Sequence, residues 1–472
     1  MNKDKTTLLH SRYNPKAEAE RYIDSLSLNE NIRFCILIEP GLGYMIPPLK
    51  KKLPGAKIIV LHAEYANSTE TSVSVGADVS VWVKGKLSVQ DFLEREIPDT
   101  KAEAIRLIEW RPALSVYGSA YRTLVEEAVN FIKRSDANYR TTKAFGETWF
   151  KNFFKNINLI RQAVIPGSIT QPVLVTGAGP GLEKAISLFS EECLQKKLFI
   201  LAVSSSASAL EARGIKPNLL ISTDGGEWAK FHLYNCFRAE KQNIPLAAAM
   251  TAALPSQCAN IPILPISDGS LWQTTILNEL KIPFITLPQR GTVTAAALDL
   301  GFTLTKAEVY ITGFDLANND IRSHARPYGL DRFIEDKENR LSPVYSRLFN
   351  RSSMLKDGKS YEIYAAWFKN NLGCYPKRLY ALGENNEVFN SLKSVKSFPA
   401  ITPDTSFNFK TQVIKGDCVS AEKAYSILEK HLTKLQEELA ALFWPGREKP
   451  SLDELMERIR SLSGQCRGAA NG

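Results

Sequence analysis

Short apolar runs that end on Gly, Ser, Thr or Asp, each followed by a stretch of helical period, recur through the middle of the chain. Val173 to Val175 leads into Gly177, Leu198 to Val203 into Ser204, and Leu219 to Ser222 into Asp224. Leu246 to Thr251, Ile263 to Ile266, Pro283 to Leu287 and Val309 to Gly313 continue the series. Such runs predict buried strands. Strands alternating with helices predict an α/β fold with a mostly parallel sheet and a polar rim at the strand C-termini, where open sheets bind ligands. The same pattern opens the chain. After a helix or extended arm up to about Asn31, Arg33 to Ile38 reads as a strand ending before Gly41-Leu-Gly43. A helix around Pro47 to Leu53 and strands at Lys57 to Glu64 and Val79 to Val83 follow.

From Tyr117 to Phe154 the period predicts one or two long helices with Leu124, Ala128 and Phe131 on the apolar face. Trp149, Phe150, Phe153 and Phe154 stand at helical spacing, which favours packing over a ligand box. The Pro-bounded segment Ile165 to Pro172 marks a boundary. Beyond Thr402 the alternation gives way to Leu428, Leu432, Leu435, Leu439 and Leu442 at helical period, broken by Pro445 and Pro450 before Leu452 to Leu462. A chain of 472 residues is expected to hold two or three domains. The expected organisation is an N-terminal Rossmann-like α/β domain (1–165), a central α/β domain (166–400) and a C-terminal helical region (401–472) serving packing or self-association.

The glycine turn Gly177-Ala-Gly-Pro-Gly181 carries the first hint of chemistry. Gly177 and Gly179 permit a tight turn with close backbone approach. Pro180 suits a first helical turn, where its missing N–H would be unpaired anyway. A helix N-terminus aimed out of a strand end offers free N–H groups and the positive end of a dipole, which favour a phosphate. The competing expectation is a plain structural corner. In the N-terminal part, Glu64 stands about 20 residues after Gly41, the place of a ribose-binding acid in dinucleotide sites. The third fingerprint glycine is missing there, so a surface acid on a relic of such a fold is the alternative.

Composition narrows the classes. A formal net charge of +9, with lysines spread along the chain, suggests solubility and an anionic ligand rather than nucleic acid. The seven cysteines are scattered without a Cys-x-x-Cys pair, which points away from a disulfide framework or zinc ribbon and towards a reducing cytoplasm. The polar start of the chain does not read as a secretory signal. No stretch approaches the ~20 apolar residues of a membrane span, so no membrane insertion is expected.

Gly177-Ala-Gly-Pro-Gly-Leu-Glu-Lys184 resembles the Gly-x-Gly-Pro-Ser-Leu signature of the motility accessory factor (Maf) flagellin glycosyltransferases. These share a domain with the 6-hydroxymethylpterin diphosphokinase MptE-like proteins. Gly214-Ile-Lys-Pro-Asn-Leu…Thr-Asp224 and Gly291-Thr-Val-Thr…Val309-Tyr-Ile-Thr-Gly-Phe-Asp-Leu316 extend the resemblance, which covers roughly residues 140 to 385. Gly181 stands where the family usually has Ser, and Asn218 where it usually has Asp. The resemblance implies a sialyltransferase-like central domain. It also implies a CMP-activated nonulosonic acid, of pseudaminic or legionaminic type, as donor and a Ser or Thr hydroxyl of flagellin as acceptor. An ATP-dependent pterin diphosphokinase and a non-catalytic flagellin-binding chaperone are the rival readings.

Such a transfer needs a stabilised phosphate leaving group, a base for the acceptor hydroxyl and a shielded pocket. Nucleotide binding is expected from the backbone N–H groups of Gly177, Gly179 and Gly181, with Pro180 holding the turn between them, and from Ser204, Asp224, Thr292 and Gly313. Helix capping is the competing role of Ser204 and Thr292. Among the five histidines, His324 lies just beyond a predicted strand end, on the side where sheets of this class place catalysis. An imidazole with an ordinary pKa near ~6.5 suits proton removal at neutral pH. His324 is therefore the candidate base, the alternative being a plain surface-loop histidine. Asp224 and Asp315 are candidates to orient it, to bind ribose or to act as base themselves, with turn capping as the alternative. Arg290, Arg322 and Arg326 are candidates to meet a donor carboxylate or phosphate. Asn318-Asn-Asp320 reads as a turn, with cation coordination as the alternative. No Asp-x-Asp pair follows a strand, so no metal and no obligatory cofactor are expected.

Overall fold

The computed structural model describes residues 8–63, 78–237, 244–317, 321–357, 360–383, 387–396, 409–415, 419–447 and 450–468. Glu64 and Asn318 to Asp320 lie outside these residues. Contacts group the chain into two compact units, one of residues 1–146 with 439–451, the other of 147–438 with 452–472. One division falls at 146/147, and within the stretch 401–472 residues 439–451 group with the first unit.

The first unit holds the strands β1 (Phe34–Ile38), β2 (Lys57–Leu61), β3 (Val79–Trp82) and β4 (Ile105–Glu109). They form a parallel sheet in the order β3-β2-β1-β4. Its core takes in Leu124, Ala128 and Phe131 from the start of the long helix Pro112–Leu159. That helix is interrupted at Gly118, whose φ of 51° is left-handed.

The second unit holds β5 (Gln162–Val164), β6 (Val173–Thr176), β7 (Phe199–Val203), β8 (Leu219–Ser222), β9 (Leu246–Ala249), β10 (Ile263–Ser267) and β11 (Ile285–Thr286). It continues with β12 (Val309–Thr312), β13 (Leu379–Leu382), β14 (Ser394–Val395) and β15 (Thr411–Val413). The order is β14-β13-β12-β6-β7-β8-β9-β10-β5-β15, with β11 beside β10. All pairings are parallel except β15 on β5. Every position of β6, β7 and β8 is buried, as strands covered on both faces require. β9 ends at Ala249, two residues short of what its apolar run predicts, and β11 spans only Ile285–Thr286, about half the length of its run.

The aromatic end of the long helix is core, in keeping with its helical spacing. Phe150, Phe153 and Phe154 are fully buried. Phe153 meets Trp272, and Phe154 stacks on Tyr425 of helix Ala421–Lys430 with ring centres 3.8 Å apart. Each such ring contributes roughly 1.5–3 kcal/mol by leaving water. Beside these rings the helix carries two buried asparagines. Asn152 donates to the carbonyls of Gly225 and Thr251, and Asn156 to those of Met250 and Ala252. The loops leaving β8 and β9 are thereby tied to the helix. Helix Leu271–Glu279 is capped from far along the chain: the carboxylate of Glu438 accepts the N–H groups of Leu271 and Trp272. No described helix is long and apolar enough to cross a membrane.

Candidate functional site

The chain builds its central sheet outward from β6 through β7, β8, β9 and β10, then returns to lay β12 on the other side of β6. The crevice between β6 and β12 is the point where strand order reverses, and open α/β sheets bind their ligands at such points. The two strands leave the sheet side by side there. Gly177 N–H donates to the Thr312 carbonyl and Gly179 N–H to the Gly313 carbonyl, both at 2.8 Å. A Cβ on Gly177 would stand 2.4 Å from the Gly313 oxygen, and one on Gly313 2.4 Å from the Gly177 oxygen. Gly313 also holds a φ of +70°, which an L side chain rarely adopts. Close approach of two backbones is what these glycines permit.

The start of helix Gly181–Ser187 is filled by a carboxylate. Gly181 N–H donates to Asp315 Oδ1 at 2.8 Å. A Cβ at Gly179 or Gly181 would fall 2.0 or 2.5 Å from the same carboxylate. All three glycine amides expected to hold a phosphate are thus engaged within the chain, and Asp315 takes the anion's place. Burial pushes the Asp315 pKa up, against the pull of the Gly181 N–H and its own. Pro180 immediately precedes the helix in helical conformation, as its ring favours.

The loop carrying His324 is fastened to this turn. Ala325 N–H donates to the Ala178 carbonyl at 2.8 Å, and Arg326 N–H to Glu183 Oε1 at 2.7 Å. Glu183 also pairs with Arg213 at 3.1 Å and, more loosely, with Arg322 at 3.8 Å. Arg213 in turn donates to the Arg326 carbonyl. Ile321, Arg322, His324, Arg326, Tyr328 and Asp331 are among the residues that line a small, half-open pocket here, with room for about a water molecule. His324 is half-buried, with Nδ1 2.8 Å from Ser323 Oγ and its ring stacked on Tyr328. If Nδ1 carries the proton and donates to Ser323, Nε2 is the acceptor nitrogen of the ring.

The remaining candidates serve their own elements. Thr292 caps helix Val293–Leu304 by accepting from Ala295 N–H at 3.0 Å. Arg290 pairs with Asp299 of that helix at 2.6 Å, and Asp299 also accepts from the Tyr375 hydroxyl. Asp224 is exposed and accepts from Gly226 N–H, the turn-capping alternative. Ser204 opens a short 3-10 turn without a side-chain capping bond; Ser206 reaches back instead, to the Val203 carbonyl at 2.9 Å and the Thr176 hydroxyl at 3.0 Å.

The structure therefore gathers Gly177, Gly179, Gly181, Gly313, Asp315, Arg322, His324 and Arg326, and employs Arg290 and Thr292 elsewhere. Glu183, which organises the arginines, was not among the expected residues, although its place two residues after the helix start was visible. Nor were Tyr328 and His232, whose hydroxyl and Nε2 lie 3.3 Å apart and which no local pattern links.

Residues 147–320 match the family model described as 6-hydroxymethylpterin diphosphokinase MptE-like. Two uncharacterized proteins of Treponema pallidum (strain Nichols) are similar. One is 27% identical over 283 residues, 60% of this chain and 60% of the relative. The other is 22% identical over 394 residues, 76% of this chain and 65% of the relative. The chain thus spans less than two thirds of either relative. Among solved structures, the MAf glycosyltransferase from Magnetospirillum magneticum AMB-1 is similar in fold, with a TM-score of 0.51 over 99% of this chain and 84% of that one, at 12% identity.

Proposed function

From the premise that this chain carries an MptE-like domain within the fold of a MAf glycosyltransferase, we propose that it is itself a glycosyltransferase. Its donor is a CMP-activated nonulosonic acid of pseudaminic or legionaminic type, and its acceptor a Ser or Thr hydroxyl of flagellin in the cytoplasm. The observation that carries this reading is the half-buried His324 in a pocket with Arg322 and Arg326, fastened to the turn at the switch point. His324 Nε2 takes the proton of the acceptor hydroxyl as its oxygen bonds to the anomeric carbon of the sugar. The bond from that carbon to the phosphate oxygen breaks, and its electron pair leaves with CMP. Arg322 and Arg326 supply the positive charge that meets the donor carboxylate and the departing phosphate. In this reading the arginines, rather than the glycine amides, hold the anion, and Asp315 locks the turn from which their loop is hung.

The test is sugar transfer to purified flagellin by His324→Ala, followed by intact mass, beside calorimetric binding of CMP. Transfer should fall at least ~100-fold while CMP binding persists. Transfer at the parent rate would overturn the assignment of the base. The MptE-like match favours pterin diphosphorylation as a second reading; binding of ATP in place of CMP in the same titration would support it.

A further inference from the structure

Three rings from two elements meet beside the pocket. His324 and Tyr328 stack with centres 4.2 Å apart and planes 20° apart. Tyr328 also meets His232 of helix Ala229–Cys236, with ring centres 4.8 Å apart and the Tyr328 hydroxyl 3.3 Å from His232 Nε2. Space is kept for that imidazole: a Cβ on Gly329 would stand 2.6 Å from His232 Nδ1. The backbone of Tyr328 is held as well, its N–H donating to Asp331 Oδ2 at 2.7 Å. With the backbone and the hydroxyl both tethered, the tyrosine ring is anchored at its two ends. The flat face on which His324 rests is thereby fixed.

We propose that His232 is a positioning residue for the transfer reaction: its bond to the Tyr328 hydroxyl sets the ring against which the His324 imidazole is oriented. This rests on the reading of His324 as base. A base turned a little away from the acceptor still binds substrate but removes the proton more slowly, so the effect belongs in kcat.

Steady-state transfer by Tyr328→Phe, His232→Ala and the double variant forms the test. Each single variant should lower kcat about tenfold with the donor KM unchanged, and the double variant should be no slower, because all three cut one link. His232→Gln, whose amide can still meet the hydroxyl, should recover most of the rate. Additive losses, or a raised KM at constant kcat, would overturn the proposal. A readout without substrate separates this from the functional reading: the His324 Cε1 proton signal, displaced by the ring current of Tyr328, should move towards its free position in His232→Ala. An unmoved signal would overturn the positioning role whether or not the protein transfers sugar. A moved signal in a protein that transfers nothing would leave the ring arrangement standing and sink only the assigned reaction.

Discussion

Gly177 shows how a residue's conformation can be legible in the sequence while the neighbours that surround it are not. Its need for close backbone approach was legible, because a short apolar strand ran into Gly-x-Gly. The approaching partners were not, since the Thr312 carbonyl at Gly177 and the Asp315 carboxylate at Gly181 both come from far along the chain. No local pattern reports that a carboxylate will return to the helix start. The obstacle at Gly177 is backbone, which cannot rotate away as a side chain can. Gly177→Ala should therefore destabilise the second unit by about 1–3 kcal/mol in a denaturant titration. A loss within a few tenths of the parent would mean that β6 and β12 part more easily than their hydrogen bonds suggest.

At the scale of elements, the strands and their polar ends were readable from apolar runs, because burial on both faces leaves little else in the sequence. The antiparallel β15 and the cap from Glu438 were not, as both depend on residues far along the chain. Side chains also stitch elements together in the first unit. Glu96 ends helix Val89–Glu96, accepts from Ser80 of β3 at 2.6 Å and pairs with Lys57 of β2 at 2.7 Å. Burial pushes its carboxyl pKa up, but the hydrogen bonds from Lys57 and Ser80 and the lysine charge outweigh that and hold it below the ordinary value. An acid lowered on folding adds stability that is complete above its unfolded pKa and is lost as pH falls through the folded one. Glu96→Gln should accordingly be less stable than the parent at pH 7, with the gap closing below about pH 4. A gap constant from pH 7 to pH 3 would show that the pairing contributes nothing.

At the scale of the whole molecule, the alternation of strands and helices predicted the α/β class and a mostly parallel sheet, while the arrangement of the site depended on loops that only the fold brings together. A nucleotide that binds the folded chain must also protect it. CMP at a hundredfold its dissociation constant should stabilise the protein by about 2.7 kcal/mol. The midpoint of thermal unfolding should rise with CMP and fail to rise in Arg322→Ala/Arg326→Ala; an equal rise in that variant would remove the arginines from the site. The place of Glu438, Tyr425 and residues 439–451 has a consequence for biogenesis. Each unit draws on residues from near the end of the numbering. On the ribosome, where domains generally fold from the N-terminus as they emerge, neither unit is complete until that last stretch has left the exit tunnel. Its strands can pair early, but helix Leu271–Glu279 must wait about 160 residues of synthesis for its cap, or ~8–30 s at ordinary elongation rates.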